Sequence, residues 1–207
     1  MRVLAIGAHY DDVELGCGGT LLKHRKNGDD IYILVITKSD YKTQDKTHMR
    51  KKQDARNEGI AAAKITGAKL IYGDFKTLEL LPNKKLINYI SKIIEKINPD
   101  IVYTHFCGDQ HLDHKAVAVS SLIATKKVKN VYSYMSNIYD TNPVFEPKHF
   151  VDISEFFEDK LILIDVFNSE KKTHNTWSKQ LEYFNGLYGL KQYTEFVEPF
   201  VIIREIK

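Results

Sequence analysis

Apolar runs of strand length alternate with longer amphipathic segments along most of this 207-residue chain, and that alternation limits the possible folds more than any other feature. RVLAIGA (2–8), DIYILVITK (30–38), KLIYGD (69–74), DIVYTHF (100–106) and NVYSYMS (130–136) are rich in Val, Ile and Tyr and read as strands. Helix-like stretches fall between them at 16–27, 46–67, 83–97 and 113–126. In the third, Leu86, Ile87, Ile90, Ile93, Ile94 and Ile97 recur at helical spacing and Pro99 ends the run. In the second, Ala61, Ala62, Ala63 and Ile65 supply an apolar face and Gly67 a C-cap. Nearly all-apolar strands separated by helices predict an α/β fold: a Rossmann-like, doubly wound, mostly parallel sheet with helices on both faces. After about residue 140 the pattern is less regular, with strands expected at 149–153 and 199–206 and helix near 154–184. No linker rich in Gly, Pro or Ser and no internal repeat interrupts the chain, so residues 1–207 read as a single domain with a C-terminal elaboration.

In such a sheet, binding sites lie outside the carboxyl ends of the strands. Two polar segments fall there: HYDDVELGCGG (9–19) after the first strand and GDQHLDHKAV (108–117) after the fourth. The glycines of the first suggest a phosphate loop, but their position argues against it. A dinucleotide fingerprint needs G-x-G-x-x-G in the turn directly after the strand. Here Gly7 is followed only by Gly16, and Asp11, Asp12 and Glu14 in between would repel a phosphate. Gly16, Gly18 and Gly19 fit better as the packing surface of a helix laid closely on the sheet. His9, Asp12, His111, Asp113 and His114 are ordinary ligand types for a divalent transition metal. Taken alone, each cluster reads equally as a cap, a turn or surface decoration, and the last reading is the one we give to His24, His48, His105, His149 and His174. Convergence of the two clusters at one sheet edge keeps a metal site open beside it.

Composition removes other classes. A net charge of +3, with lysines interleaved among acids, does not make a nucleic-acid stripe. No apolar run reaches the roughly eighteen residues of a membrane span. Cys17 and Cys107 cannot build a disulfide framework or a four-cysteine zinc site, and packing is their expected role. The chain enters its first strand without a secretory-signal pattern, so a cytoplasmic location is expected. A homo-oligomer is compatible with all of this.

AHYDDVELGCGG (8–19) together with HLDH (111–114) resembles the PIG-L (LmbE-like) family of zinc-dependent N-deacetylases. That family pairs A-H-P-D-D and a G-x-G-G turn with H-x-D-H about a hundred residues later. MRKKQDARNEGIAAAKITGA (49–68) is similar to the family's arginine-opened helix, and FVEPF (196–200) to its closing Y-A-E-x-F segment. The resemblance implies His9, Asp12 and His114 as ligands of one zinc ion per chain, with iron(II) as the alternative metal. It implies Asp11 as general base and His111, if protonated, as oxyanion stabiliser, with Asp113 placed to hold and charge that histidine. Arg50, or its rival Arg56, would bind substrate, and Glu198 would face the site. Plainer roles stand beside these: a helix N-cap for Asp113, and a loop cap rather than a substrate contact for Asp109. The implied activity is removal of the acetyl group from an N-acetylated amino sugar of N-acetylglucosamine type, or its conjugate. Its rivals are an amidase acting on a thiol-sugar conjugate, a non-catalytic metal-binding protein and a nucleotide-binding module. Three departures bear on substrate rather than metal. Tyr10 replaces the usual proline and puts a phenol near the expected site mouth, TKSDYKTQDKTH (37–48) lacks the family's Thr-Gly-Glu run, and Asn185-Gly186 lacks the preceding arginine.

Overall fold

The computed structural model describes residues 1–42, 49–170 and 176–206. In chain order the first elements are β1 (Arg2–Gly7), α1 (Asp12–Lys26), β2 (Asp30–Thr37), β3 (Tyr41–Lys42), β4 (Met49–Arg50), α2 (Lys52–Thr66) and β5 (Lys69–Phe75). Then come α3 (Lys84–Ile97), β6 (Ile101–His105), α4 (Leu112–Ala124), β7 (Asn130–Tyr134) and β8 (His149–Asp152). A 3-10 turn (Ser154–Phe156), α5 (Phe157–Asp165), α6 (Trp177–Lys191) and β9 (Val197–Arg204) follow.

Seven strands form one sheet in the order β5-β2-β1-β6-β7-β9-β8. The first five run parallel, while β9 pairs antiparallel with both β7 and β8. The fold is therefore the mostly parallel, doubly wound α/β sheet that the alternation predicts. Successive β1 side chains point to opposite faces and both faces are covered. Val3 and Ala5 join a core with α1, α2 and α5, whereas Leu4 and Ile6 join one with α3 and α4. Chain order reverses beside β1, with β2 and β5 on one side and β6 and β7 on the other. The crevice between the carboxyl ends of β1 and β6 is thus the topological switch point, where such sheets bind ligands.

Several boundaries differ from expectation for local reasons. α1 starts at Asp12 rather than residue 16 and runs through its glycines, with a break at Cys17 (φ −146°). A Cβ on Gly16 would lie 2.0 Å from Tyr134 Cδ2, and one on Gly19 would lie 2.9 Å from Ile153. Those glycines are where helix meets sheet. α2 starts at Lys52 because Met49–Arg50 is drawn into a ribbon with Tyr41–Lys42; residues 46–48 of the expected helix lie outside the described residues. Its buried face is Ala55, Gly59, Ala62, Ala63 and Thr66, so Ala61 and Ile65 are less buried than expected. Gly67 caps it in the left-handed conformation (φ 69°). The expected helix near 154–184 divides into the 3-10 turn, α5 and α6. No helix among the described residues is long and apolar enough to cross a membrane.

The α1 break explains a buried ion pair. Normally Gly19 N–H would donate to the Leu15 carbonyl, four residues back. Here Gly19 N–H and Thr20 N–H donate to Glu198 (2.9 and 2.6 Å), and Lys160 Nζ donates to Leu15 O (2.9 Å). Lys160 and Glu198 close the insertion at 2.7 Å, both at 0% exposure. Side chains from α5 and β9 thus supply the bonds that the interrupted helix lacks.

Candidate metal centre

β1 delivers His9 through Asp12 to the switch point on a tightly tied loop. His9 N–H donates to Asp12 Oδ2 (2.7 Å), Tyr10 N–H to Ser39 Oγ (2.9 Å), and Thr37 N–H and Oγ1 to the Ala8 carbonyl (2.9 and 2.8 Å). Within it Asp11 adopts φ 125°, a conformation costing a side chain about 1–3 kcal/mol and kept only where surroundings over-determine it. β6 and the start of α4 bring His111, Asp113 and His114 to the same place.

His9 Nδ1 lies 3.4 Å from Asp12 Oδ2, His114 Nε2 lies 3.1 Å from Asp12 Oδ1, and His114 Nε2 lies 3.3 Å from His9 Nδ1. A tetrahedral zinc ion with bonds of about 2.0–2.1 Å has ligand atoms about 3.3 Å apart, the separation of the two nitrogens, and Asp12 turns one oxygen toward each of them. Each imidazole turns its other nitrogen to a carboxylate: His9 Nε2 to Asp113 Oδ2 (3.0 Å) and His114 Nδ1 to Asp109 Oδ2 (2.8 Å). Carboxylates behind histidines are the usual outer partners of metal ligands. Charge fits as well. Burial would raise the Asp12 carboxyl, but His114, His105 and His9 hold it well below its ordinary value. Burial opposes protonation of His9 and His114, yet the acids around them lift these imidazoles to about 9 and about 10. Such a cluster calls for positive charge, which a divalent cation can supply in exchange for protons.

Asp11 lines the same cavity but pairs with Arg50. Its Oδ2 accepts from Arg50 Nη1 (2.9 Å), and its carboxyl is raised to about 8, mainly by burial and further by Asp12 and Glu170, against the pull of Arg50. Arg50 is 2% exposed and fully engaged: Nη2 donates to Tyr10 O (3.0 Å) and meets Glu58 (3.3 Å), Nε donates to Ser169 Oγ (3.0 Å), and Nη1 also meets Glu170 (2.9 Å). Arg50 also lines the cavity, so it braces Asp11 from a position compatible with its expected role as substrate binder.

Other expectations need correction. Arg56 does not line the cavity; its guanidinium stacks 3.9 Å over the Tyr72 ring, on the outer flank of the sheet. Glu198 faces α1 and Lys160, not the site. Asp109 is buried, accepting from His111 N–H (2.8 Å), Tyr139 OH (2.8 Å) and His114, so it caps the loop and holds a histidine rather than lining the cavity. The N-cap of α4 is His111, not Asp113: His111 Nδ1 accepts from Asp113 N–H (3.2 Å). Residues two apart at a helix start do not face each other. The Asp113 carboxylate accordingly binds His9, and accepts from Leu78 N–H (2.7 Å) and Leu80 N–H (3.0 Å), instead of holding His111. Burial, with His114 and His9 nearby, lowers His111 to about 4. With Nδ1 accepting a backbone proton, the neutral ring carries its own on Nε2. Burial and the neighbouring histidines thus disfavour the expected cation at His111. The Tyr10 ring packs on α2, where a Cβ on Gly59 would lie 2.2 Å from Cδ1, and does not reach the site mouth.

His105, read from sequence as surface decoration, is fully buried against Asp12 and His114. Its position as the last residue of β6, beside β1, was the available signal. His24 is also buried, bonded to Asp29 (2.7 Å) and Tyr103 OH (3.1 Å), and His149 stacks on Tyr132 (4.2 Å). His48 and His174 lie outside the described residues. Above the cluster opens a cavity of about 250 Å³ lined by His9, Asp11, Asp12, Arg50, His111 and His114, with Leu15, Tyr41, Leu78 and Trp177 among its apolar walls. Neither cysteine lines it.

The PIG-L family model, described as GlcNAc-PI de-N-acetylase, matches residues 4–125. The uncharacterized deacetylase YaiS of Escherichia coli is 32% identical over 167 residues, 77% of this chain and 86% of that protein. A diacetylchitobiose deacetylase of Thermococcus kodakarensis is 27% identical over 216 residues, 91% of this chain and 78% of that protein. Among solved structures, the N,N'-diacetylchitobiose deacetylase from Pyrococcus horikoshii matches in fold with a TM-score of 0.86, covering 98% of this chain and 83% of that one at 22% identity.

Proposed function

This chain belongs to the PIG-L family, and from that premise we propose that it is a zinc-dependent hydrolase removing the acetyl group from an N-acetylated amino sugar or its conjugate. The observation that carries the reading is the pair of imidazole nitrogens 3.3 Å apart, each within 3.4 Å of an Asp12 carboxylate oxygen, with a braced carboxyl beside them that is not one of these donors. His9, Asp12 and His114 would hold the ion, and Asp113 and Asp109 would fix the two imidazoles. Such an ion supplies Lewis acidity, polarising an acyl oxygen and making hydroxide available near neutral pH.

Amide hydrolysis needs a proton removed from water and delivered to the leaving amine. Asp11, raised to about 8 in the protein alone, serves as that base and then acid, and Arg50 keeps its carboxyl in place. His111 Nε2–H donates to the acyl oxygen as negative charge develops there, a contribution of about 2.7–4 kcal/mol for one such donor. A neutral donor does this without placing a further cation beside the metal. Tyr41, Leu15 and Trp177 give the cavity apolar walls suited to the faces of a sugar ring.

The test is amine release from free, nucleotide-linked and glycoside-linked N-acetylglucosamine by zinc- and iron(II)-loaded protein. Metal-dependent release from at least one supports the reading. Stoichiometric zinc binding with no release from any amide-bearing sugar identifies a non-catalytic metal-binding protein instead.

A further inference from the structure

We propose that His105 is a positioning residue for the metal centre, holding Asp12 by a hydrogen bond from Nε2 and backing His114 with its ring. Its imidazole, at 0% exposure, ends β6 directly beneath the three proposed ligands. Nε2 lies 3.1 Å from Asp12 Oδ2, the oxygen that also accepts from His9 N–H, while Asp12 Oδ1 faces His114. The rings of His105 and His114 stack at 4.1 Å with 14° between their planes. One residue therefore touches two of the three proposed ligands, from the side opposite the cavity.

Which nitrogen carries the proton decides what His105 does. Ala8 N–H points at the same Nε2 from 3.0 Å, and one nitrogen cannot both accept there and donate to Asp12. Nδ1 is buried and, among the described residues, has no hydrogen-bond partner. A proton on Nδ1 would bury an unsatisfied N–H and turn the Nε2 lone pair toward a carboxylate. A proton on Nε2 moves the unpaired N–H to Ala8, but it removes the lone-pair conflict and makes a charge-assisted bond to Asp12, roughly twice as strong as the neutral contact that it displaces. Ligation by His105 itself is the rival reading, since Asp12, His105 and His114 also present donor atoms within 4.8 Å of one another. Stacked rings set side by side do not aim both nitrogens at one ion, which favours support over ligation.

The inference rests on the metal site proposed above, and zinc affinity tests the two separately. Affinity is read on the full chain by competition with a chromophoric chelator. His105→Phe keeps an aromatic ring and removes the donor, and is expected to bind zinc about 10–100-fold more weakly. His105→Gln can place an amide N–H where Nε2 was, and is expected to stay close to the parent. A Phe variant that binds as tightly as the parent, or a Gln variant that falls as far as Phe, overturns the inference and leaves the site standing. A parent chain that binds no zinc overturns both. Nitrogen-15 NMR of the unsubstituted chain gives an answer even where a variant does not fold. His105 Nε2 is expected to keep its proton through one equivalent of zinc, and loss of that proton would make it a ligand and overturn the proposal.

Discussion

At the scale of single residues, adjacent aspartates are given different work by what each one touches. Asp12 is ringed by three imidazoles and held ionised; Asp11, one residue earlier, turns to Arg50 and is pushed toward neutrality by burial and by neighbouring acids. The strained backbone of Asp11 separates the two, sending consecutive side chains to different partners. Asp11→Asn is expected to retain zinc and lower turnover by about 10²–10⁴-fold, the usual worth of a general base. Arg50→Lys preserves charge but cannot reproduce the forked contacts to Asp11, Tyr10, Glu58 and Ser169. It should therefore lower kcat while leaving KM and zinc content near parent values. A rise in KM alone would assign Arg50 to substrate binding instead. Metal analysis and steady-state kinetics on both variants measure these outcomes.

At the scale of elements, α1 must lie close enough to the sheet to carry Asp12 in its first turn into the switch point. Gly16 makes that approach possible. Its α-carbon faces the Tyr134 ring, whose hydroxyl in turn donates to Ile6 O (2.8 Å), tying β7 to β1 under the helix. Gly16→Ala is expected to destabilise by about 1–3 kcal/mol or more through overpacking. Gly28 offers the contrast: it has φ 76° but open space where a Cβ would be. Gly28→Ala carries the strain alone, about 1 kcal/mol. Urea denaturation compares the two, and equal losses would show that backbone freedom, not close approach, is what α1 needs from its glycines.

Across the whole molecule, the C-terminal segment completes the α1 break rather than the cavity chemistry. Glu198→Ala would leave Lys160 charged, buried and unpaired, and would orphan two α1 amides, an expected loss of about 3–5 kcal/mol by chemical denaturation. Activity per folded molecule should be retained, since Glu198 does not line the cavity; loss of kcat in fully folded variant would restore it to the site. The strand runs, their alternation with helices and the placement of two polar clusters at strand ends were all legible in the residues, because period-2 and period-3.6 patterns and strand termini are local properties. So was the pairing of His9 and Asp12 with His114 as candidate ligands, through the resemblance of the motifs. The roles of the supporting residues were not. Arg50, Asp109, Asp113 and Glu198 look alike in sequence as charged groups near motifs, and His105 looks like any other histidine. The partners that distinguish them lie as far as 39 residues away for Arg50, 104 for Asp113, 93 for His105 and 179 for Glu198. Sequence alone determined the sheet and the end of it at which the two polar clusters meet. Tertiary structure decided which groups touch one another, because a buried charge takes its character from the neighbours that desolvate and pair it, and those neighbours are set only when distant segments pack.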